Sequence, residues 1–145
     1  IEGFSHPEMG HMLVVPHPKD DFAGSCPFHG NCLEGMAAGP AIEKRLGKKG
    51  QEVAEDDPYW EIEASYIAQC AYNTTLMFSP DVIIFGGGVM KQRHMLQNVH
   101  DAFAKLVNGY VETPELSKYI VTPALEDNAG TLGCLALARE AVLHS

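Results

Sequence analysis

Positive charge is scarce in this chain. Ten Lys and Arg stand against 19 Asp and Glu, for a formal net charge of −9. That balance excludes a nucleic-acid-binding face, because neutralising phosphates requires a basic patch. The nearest basic cluster, KRLGKKG at 44–50, reads as the solvated end of a helix, where lysines complement the negative end of the dipole. Long apolar runs are missing too, so no helix is expected to cross a membrane. The opening IEGFSHPEMGH has neither an initiator methionine nor a charged-then-apolar leader. A signal peptide is therefore not expected, and the chain reads as a fragment or a processed piece. Cysteines are few: Cys26, Cys32, Cys70 and Cys134. Without an export signal the reduced, cytoplasmic reading follows, and the NTT sequon at Asn73 has no consequence. Repeats and low-complexity segments are absent as well.

What is present suits one soluble domain. The 145 residues are 46% hydrophobic and 20% charged, enough to bury a core. HMLVVPH at 11–17 predicts a short strand stopped by Pro16 and Pro18. LEGMAAGPAIEKRLG predicts a helix from Leu33, broken at Gly39-Pro40 and ending near Gly47 or Gly50. Asp57-Pro58 starts a second helix from about Tyr59 to Phe78, with Ile62, Tyr66, Cys70 and Met77 on its apolar side. Val82 to Phe85 reads as a strand buried on both faces of a parallel sheet. An amphipathic helix with Met95, Leu96, Val99, Phe103, Leu106 and Val107 comes next. YIVTPAL at 119–125 predicts a second strand, and a largely apolar helix that Asn128 could cap closes the chain. Strand, helix, strand, helix is the βαβ order, so the fold class is α/β.

SCPFHGNC at 25–32 spaces Cys26, His29 and Cys32 at three-residue intervals. Soft thiolates with an imidazole favour zinc over calcium or magnesium. A closed tetrahedral site needs a fourth protein ligand. His6, His11 and His17 are the upstream candidates. His11, 15 residues before Cys26, has enough chain to fold back and is preferred. Ordinary buried cysteines near a surface histidine are the alternative, and a Cys26–Cys32 redox pair lacks the usual Cys-x-x-Cys spacing.

Gly86-Gly87-Gly88 after an apolar run admits two readings. It could let a ligand approach the backbone, or it could simply make a tight strand-to-helix turn that needs positive φ. It matches neither the P-loop nor the dinucleotide-binding fingerprint.

Four segments, in order, resemble the ROK family of sugar kinases: the Glu-x-Gly-His of PEMGHM (7–12), CPFHGNCLEG, SPDVIIFGGGVM and DNAGTLGCLALA. Together they span positions 7 to 138. The commonest family loop carries three cysteines. Here Cys26, His29 and Cys32 stand instead, a variant similar to the bacterial fructokinases of the family rather than to its glucokinases or N-acetylmannosamine kinases.

The resemblance implies an actin-like, ribonuclease H-like C-terminal domain over 1–145 with an inserted zinc loop at about 11–32. It implies zinc ligands His11, Cys26, His29 and Cys32, and sugar contacts from Glu8, His11 and Glu34. It implies nucleotide contacts from Gly86, Gly87, Gly88 and Asn128. The implied activity is ATP-dependent phosphorylation of a hexose, fructose to fructose 6-phosphate, with structural Zn²⁺ and with Mg²⁺ accompanying ATP. The family's general-base aspartate and phosphate loop belong to an N-terminal domain that these residues do not contain. The expected partners are therefore that N-terminal half, the hexose and ATP, and a second copy in a homodimer. Alone, the chain is expected to be inactive. Two other functions fit the same residues: a sugar-sensing ROK-type transcriptional repressor domain, or a zinc-stabilised binding module without catalysis.

Overall fold

The longest element begins where Pro58 presets φ and the Asp57 carboxylate accepts the Tyr59 N–H at 2.9 Å. This helix, α3 (Tyr59–Phe78), is the pillar of a computed structural model that describes residues 5–143, the Asp127 side chain excepted. Two short helices precede it. Helix α1 (Leu33–Ala37) ends at an extended Ala38, and α2 (Gly39–Leu46) starts with Pro40 in its first turn. Proline has no N–H to give and disfavours helical backbone before it, so the break falls where the sequence places it. Gly47, at φ +68°, closes α2.

Strands β1 (Ile83–Ile84) and β2 (Ile120–Val121) pair in parallel, with Ile83 opposite Ile120 and Ile84 opposite Val121. The crossover between them carries α4 (Met95–Val107) and a single-turn helix α5 (Leu116–Tyr119). Chain order and parallel pairing thus confirm the βαβ unit. Helix α4 buries Met95, Val99, Phe103 and Val107 against the core, while Leu106 lies exposed. His100 Nε2 donates to the Ile120 carbonyl at 2.8 Å, fastening α4 to β2. Trp60, Tyr66, Phe103 and Tyr119 are the large fully buried rings of the core.

Four expectations need correction. No strand forms over 11–17. Leu13 makes a single antiparallel bridge to Cys32, and both the N–H and the carbonyl of Val15 are taken by the Gln69 side chain at 2.8 and 3.0 Å. Pro16 and Pro18 leave no N–H to extend a ladder. The strand expected over 119–125 is two residues long, because Tyr119 belongs to α5. The strand expected to be buried on both faces is covered on one: Ile83 is buried, Val82 is exposed and Ile84 is 59% exposed. On α3, Tyr66 and Cys70 are buried as expected, but Met77 is 69% exposed because it falls beyond the packed face.

The closing helix, α6 (Ala129–Leu143), buries none of its residues. Leu132, Leu135 and Leu137 stand exposed on it. The expected helix reached Ser145, and 144–145 lie outside the described residues.

Candidate functional site

A tight loop at 25–32 and an arm over residues 12–22 build the site together. Cys26 and Gly30 face each other across an antiparallel bridge, with Gly30 N–H donating to Cys26 O at 3.0 Å, so the tip at Pro27–His29 turns outward. The loop rests on the first turn of α1. A Cβ on Gly35 would lie 2.0 Å from Gly30 O, so only glycine allows this contact. Gly24 has φ +94° and the same conflict with Gly30 O. Neither glycine was singled out from the sequence, since the close approach is tertiary. Cys32 caps α1, its Sγ accepting the Gly35 N–H at 3.4 Å. The arm is pinned alongside by Leu33 N–H donating to Met12 O at 2.8 Å and Val14 N–H donating to Asn31 O at 3.3 Å. These bonds carry His11, in a single helical turn at Met9–His11, back to the loop.

The result is four donor groups in one place. One ligand atom each from His11, Cys26, His29 and Cys32 lie within 4.8 Å of one another. His11 Nδ1 is 3.9 Å from Cys26 Sγ and 3.5 Å from Cys32 Sγ, and His29 Nδ1 is 3.7 Å from Cys26 Sγ. Zinc bond lengths in a regular tetrahedron put sulfur and nitrogen about 3.6 Å apart. The four residues therefore fit a tetrahedral soft-metal site. All four cysteines of the chain are free thiols.

Electrostatics distinguish the two thiols. The N–H groups of His29 and Phe28, with Cys32 and His29 side chains behind them, draw the Cys26 thiol down to about 6. Burial pushes the Cys32 thiol up, and the neighbouring Cys26 and Glu34 add to that rise.

His11 has a second face. Its Nε2 lies 3.6 Å from Glu34 Oε2, so the ring connects the cluster to a carboxylate. Metal-bound imidazoles commonly orient their other nitrogen towards such a group. Glu34, on the first turn of α1, lines a cavity of about 570 Å³. Gly86, Gly87 and Gly88 line the same cavity, which joins the Glu34 end to the glycine loop. Within that loop Gly87 alone takes positive φ, at +96°, and a Cβ there would meet open space.

Other expected site residues lie elsewhere. Glu8 precedes the His11 turn, is exposed, and pairs with His6 at 3.3 Å rather than lining the cavity. Asn128 stands exposed just before α6, also outside the cavity lining. The run KRLGKKG is not merely a solvated helix end: Arg45 turns inward to Asp20, and Lys49 lines the cavity wall with Gln51. The only sequence signal for Arg45 was its place on the α2 face that carries Ile42 inward.

The ROK family profile matches residues 1–141. The chain belongs to the ROK family. The chain is 49% identical over 144 residues to a fructokinase of Streptococcus mutans, covering 97% of this chain and 49% of that protein. It is 49% identical over 145 residues to a fructokinase of Pediococcus pentosaceus, covering 100% and 50%. A putative fructokinase of Bacillus subtilis is 44% identical over 146 residues, covering 98% and 49%. The chain thus spans about half the length of the curated relatives it matches. ROK membership implies the actin-like ATPase fold, and the mixed helices and parallel strands found here are compatible with it. Among the described residues no helix is long and apolar enough to cross a membrane.

Proposed function

We propose that this chain is the zinc- and sugar-binding half of a cytoplasmic, ATP-dependent hexose kinase that converts fructose to fructose 6-phosphate. The observation that carries the reading is the shared cavity: a carboxylate fit for sugar hydroxyls and a glycine loop fit for a nucleotide open into one space. The relatives named fructokinase support the choice of sugar.

Glu34 accepts hydrogen bonds from two neighbouring hydroxyls, as an ionised carboxylate can. His11 borders the sugar edge beside Glu34, and Glu8, which here pairs with His6 outside the cavity, would join that edge by turning away from His6. Gly86 to Gly88 let ATP lie close to the backbone, while Asn128, exposed outside this cavity, is assigned to the nucleotide by the family resemblance alone. Mg²⁺ arrives with ATP. Zinc held by His11, Cys26, His29 and Cys32 would supply rigidity and no chemistry on the substrate. The four ligands tie the arm to the loop, and the His11 ring stands between them and Glu34, its Nε2 3.6 Å from the carboxylate.

The rest of the protein supplies the aspartate that deprotonates the sugar hydroxyl. Two features support such a second half as a partner: the exposed apolar α6 and the uncovered face of β1. A homodimer of the complete protein is part of the same reading.

The test is phosphoryl transfer by the full-length protein across a panel of hexoses, with zinc measured on the same sample. About one zinc per chain and a preference for fructose are expected, together with no turnover by this chain alone. Turnover of a different hexose would overturn the substrate, and sugar binding without phosphoryl transfer would assign a sensing role instead.

A further inference from the structure

A second cluster is fastened to α1 through the Met36 carbonyl. Arg45 of α2 sits between the rings of Phe22 and Tyr59, its guanidinium carbon 4.4 and 5.2 Å from their centres. Its Nε and Nη2 donate to the two oxygens of Asp20 at 3.2 and 2.9 Å. Nη2 also donates to Met36 O at 3.0 Å, and Nη1 to Tyr59 Oη at 2.8 Å. One side chain thereby joins the arm (Asp20), the last turn of α1 (Met36) and α3 (Tyr59). Tyr66 Oη adds a bond to Asp20 at 2.6 Å and accepts the His17 N–H at 3.0 Å.

Glu63 is the unexpected member. It is fully buried, Tyr59 Oη donates to its Oε2, and its Oε1 is buried with no hydrogen-bond partner among the described residues. Of the two carboxyls in the cluster, Asp20 takes the Nε and Nη2 donors of the guanidinium. Glu63 meets Arg45 only through Tyr59.

We propose that Arg45 is a positioning residue for Glu34, seating α1 against the arm and α3, and that Glu63 makes this seat sensitive to protons. The geometry favours Glu63 as the neutral acid when the seat is intact, since an ionised Oε1 would be a buried charge without a partner, which costs more than an unpaired neutral hydroxyl. Burial raises the Glu63 carboxyl to about 7, against partial opposition from Tyr59 and Arg45 and with Asp20 adding to the rise. Asp20 stays ionised: burial alone would raise it, but bonds from Tyr66, the Phe22 N–H and Arg45 hold it below the ordinary range. Tyr59 is raised by burial and by Glu63, so it remains a donor. The groups facing Glu63 are therefore Tyr59 on its own helix, Arg45 on α2 and Asp20 on the arm. On ionisation, Glu63 competes with Asp20 and Met36 O for the guanidinium, the hold on α1 loosens, and Glu34 leaves its place at the cavity.

The proposal rests on Glu34 binding the sugar, so its test has one arm that needs no sugar. In the full-length protein, fructose KM, kcat and zinc content are measured from pH 6 to 9 for wild type, Glu63→Gln and Arg45→Met. Wild-type KM should rise about threefold as pH passes 7, with kcat and zinc little changed, and Glu63→Gln should abolish that rise. Arg45→Met should raise KM about tenfold at every pH while zinc is retained. Equal pH dependence in wild type and Glu63→Gln, or an unchanged KM in a folded Arg45→Met, would overturn the proposal. If Arg45→Met does not fold, the Glu63→Gln comparison decides alone.

The arm without sugar is thermal unfolding of wild type against Glu63→Gln. A carboxyl whose folded pKa lies above its ordinary value stabilises fully at low pH and loses that contribution as pH rises through about 7. The wild-type Tm relative to Glu63→Gln should therefore fall between about pH 5 and 7 and level off above. A flat difference defeats the proton-sensitive seat whatever the substrate. A sloping difference in a protein that phosphorylates no hexose leaves the seat standing and removes the kinase reading.

Discussion

Helices α3 and α6 are both rich in apolar residues, yet their surroundings are opposite. Helix α3 buries ten residues, from Tyr59 to Thr75, against α1, α4 and the arm. Helix α6 buries none, and Leu137 on it is 68% exposed. Leucines at 132, 135 and 137 fall on more than one side of α6, as in a helix that is covered all round. An apolar pattern states that a helix needs cover. It does not state whether the cover comes from the same stretch of chain. Here about half of the relatives' length lies outside the matched region, and in our reading that half covers α6.

The largest expected effect breaks the packed side at its His/Cys donor cluster. Replacing Cys32, wholly buried and at the N-cap of α1, by Ala should reduce bound zinc from about one per chain to near zero and lower Tm sharply, read by metal analysis and calorimetry. Next comes Phe103→Ala on α4, whose ring is buried 6.1 Å from that of Tyr119. A loss of about 3–5 kcal/mol in denaturant unfolding is expected. His100→Leu should cost about 1–3 kcal/mol, because the Ile120 carbonyl is left buried without its donor. The smallest effect sharpens the contrast: Leu137→Ala in this chain should change stability by less than about 0.5 kcal/mol. In the full-length protein the same substitution should cost about 2–4 kcal/mol if α6 is covered there. Equal small effects in both would mean that α6 stays at a surface.

Much of the fold was legible because its signals are local. Asp57-Pro58 starts α3, Gly39-Pro40 splits α1 from α2, and Gly47 ends α2, each through backbone chemistry confined to a few residues. The donor cluster was legible for a related reason: three of its members lie within seven residues, and thiolates beside an imidazole are seldom idle. The arm at 11–17 was misread because β-branched residues there mimic a strand, while the decisive partner, Gln69, is 54 residues away.

Arg45 shows the same limit more sharply. In sequence it belongs to a basic run and looks like a solvated helix end. In the structure its neighbours at 44 and 48 stay exposed, while Arg45 itself is drawn in by Asp20, 25 residues earlier, and by two aromatic rings. Glu63 was equally silent, since a glutamate on a helix is ordinarily a surface residue.

By itself the sequence determined where α1, α2 and α3 start and stop, the parallel order of the strands, and which side chains could ligate a metal. These follow from torsional limits, periodicity and ligand chemistry, all of which act over a few residues. Only the tertiary structure decided that His11 meets the thiolates, that Glu34 and the glycine loop share one cavity, and that Arg45 and the buried Glu63 are joined through Tyr59. Those arrangements depend on contacts between residues far apart in the chain, whose energies arise only once α1, α3 and the arm have packed together.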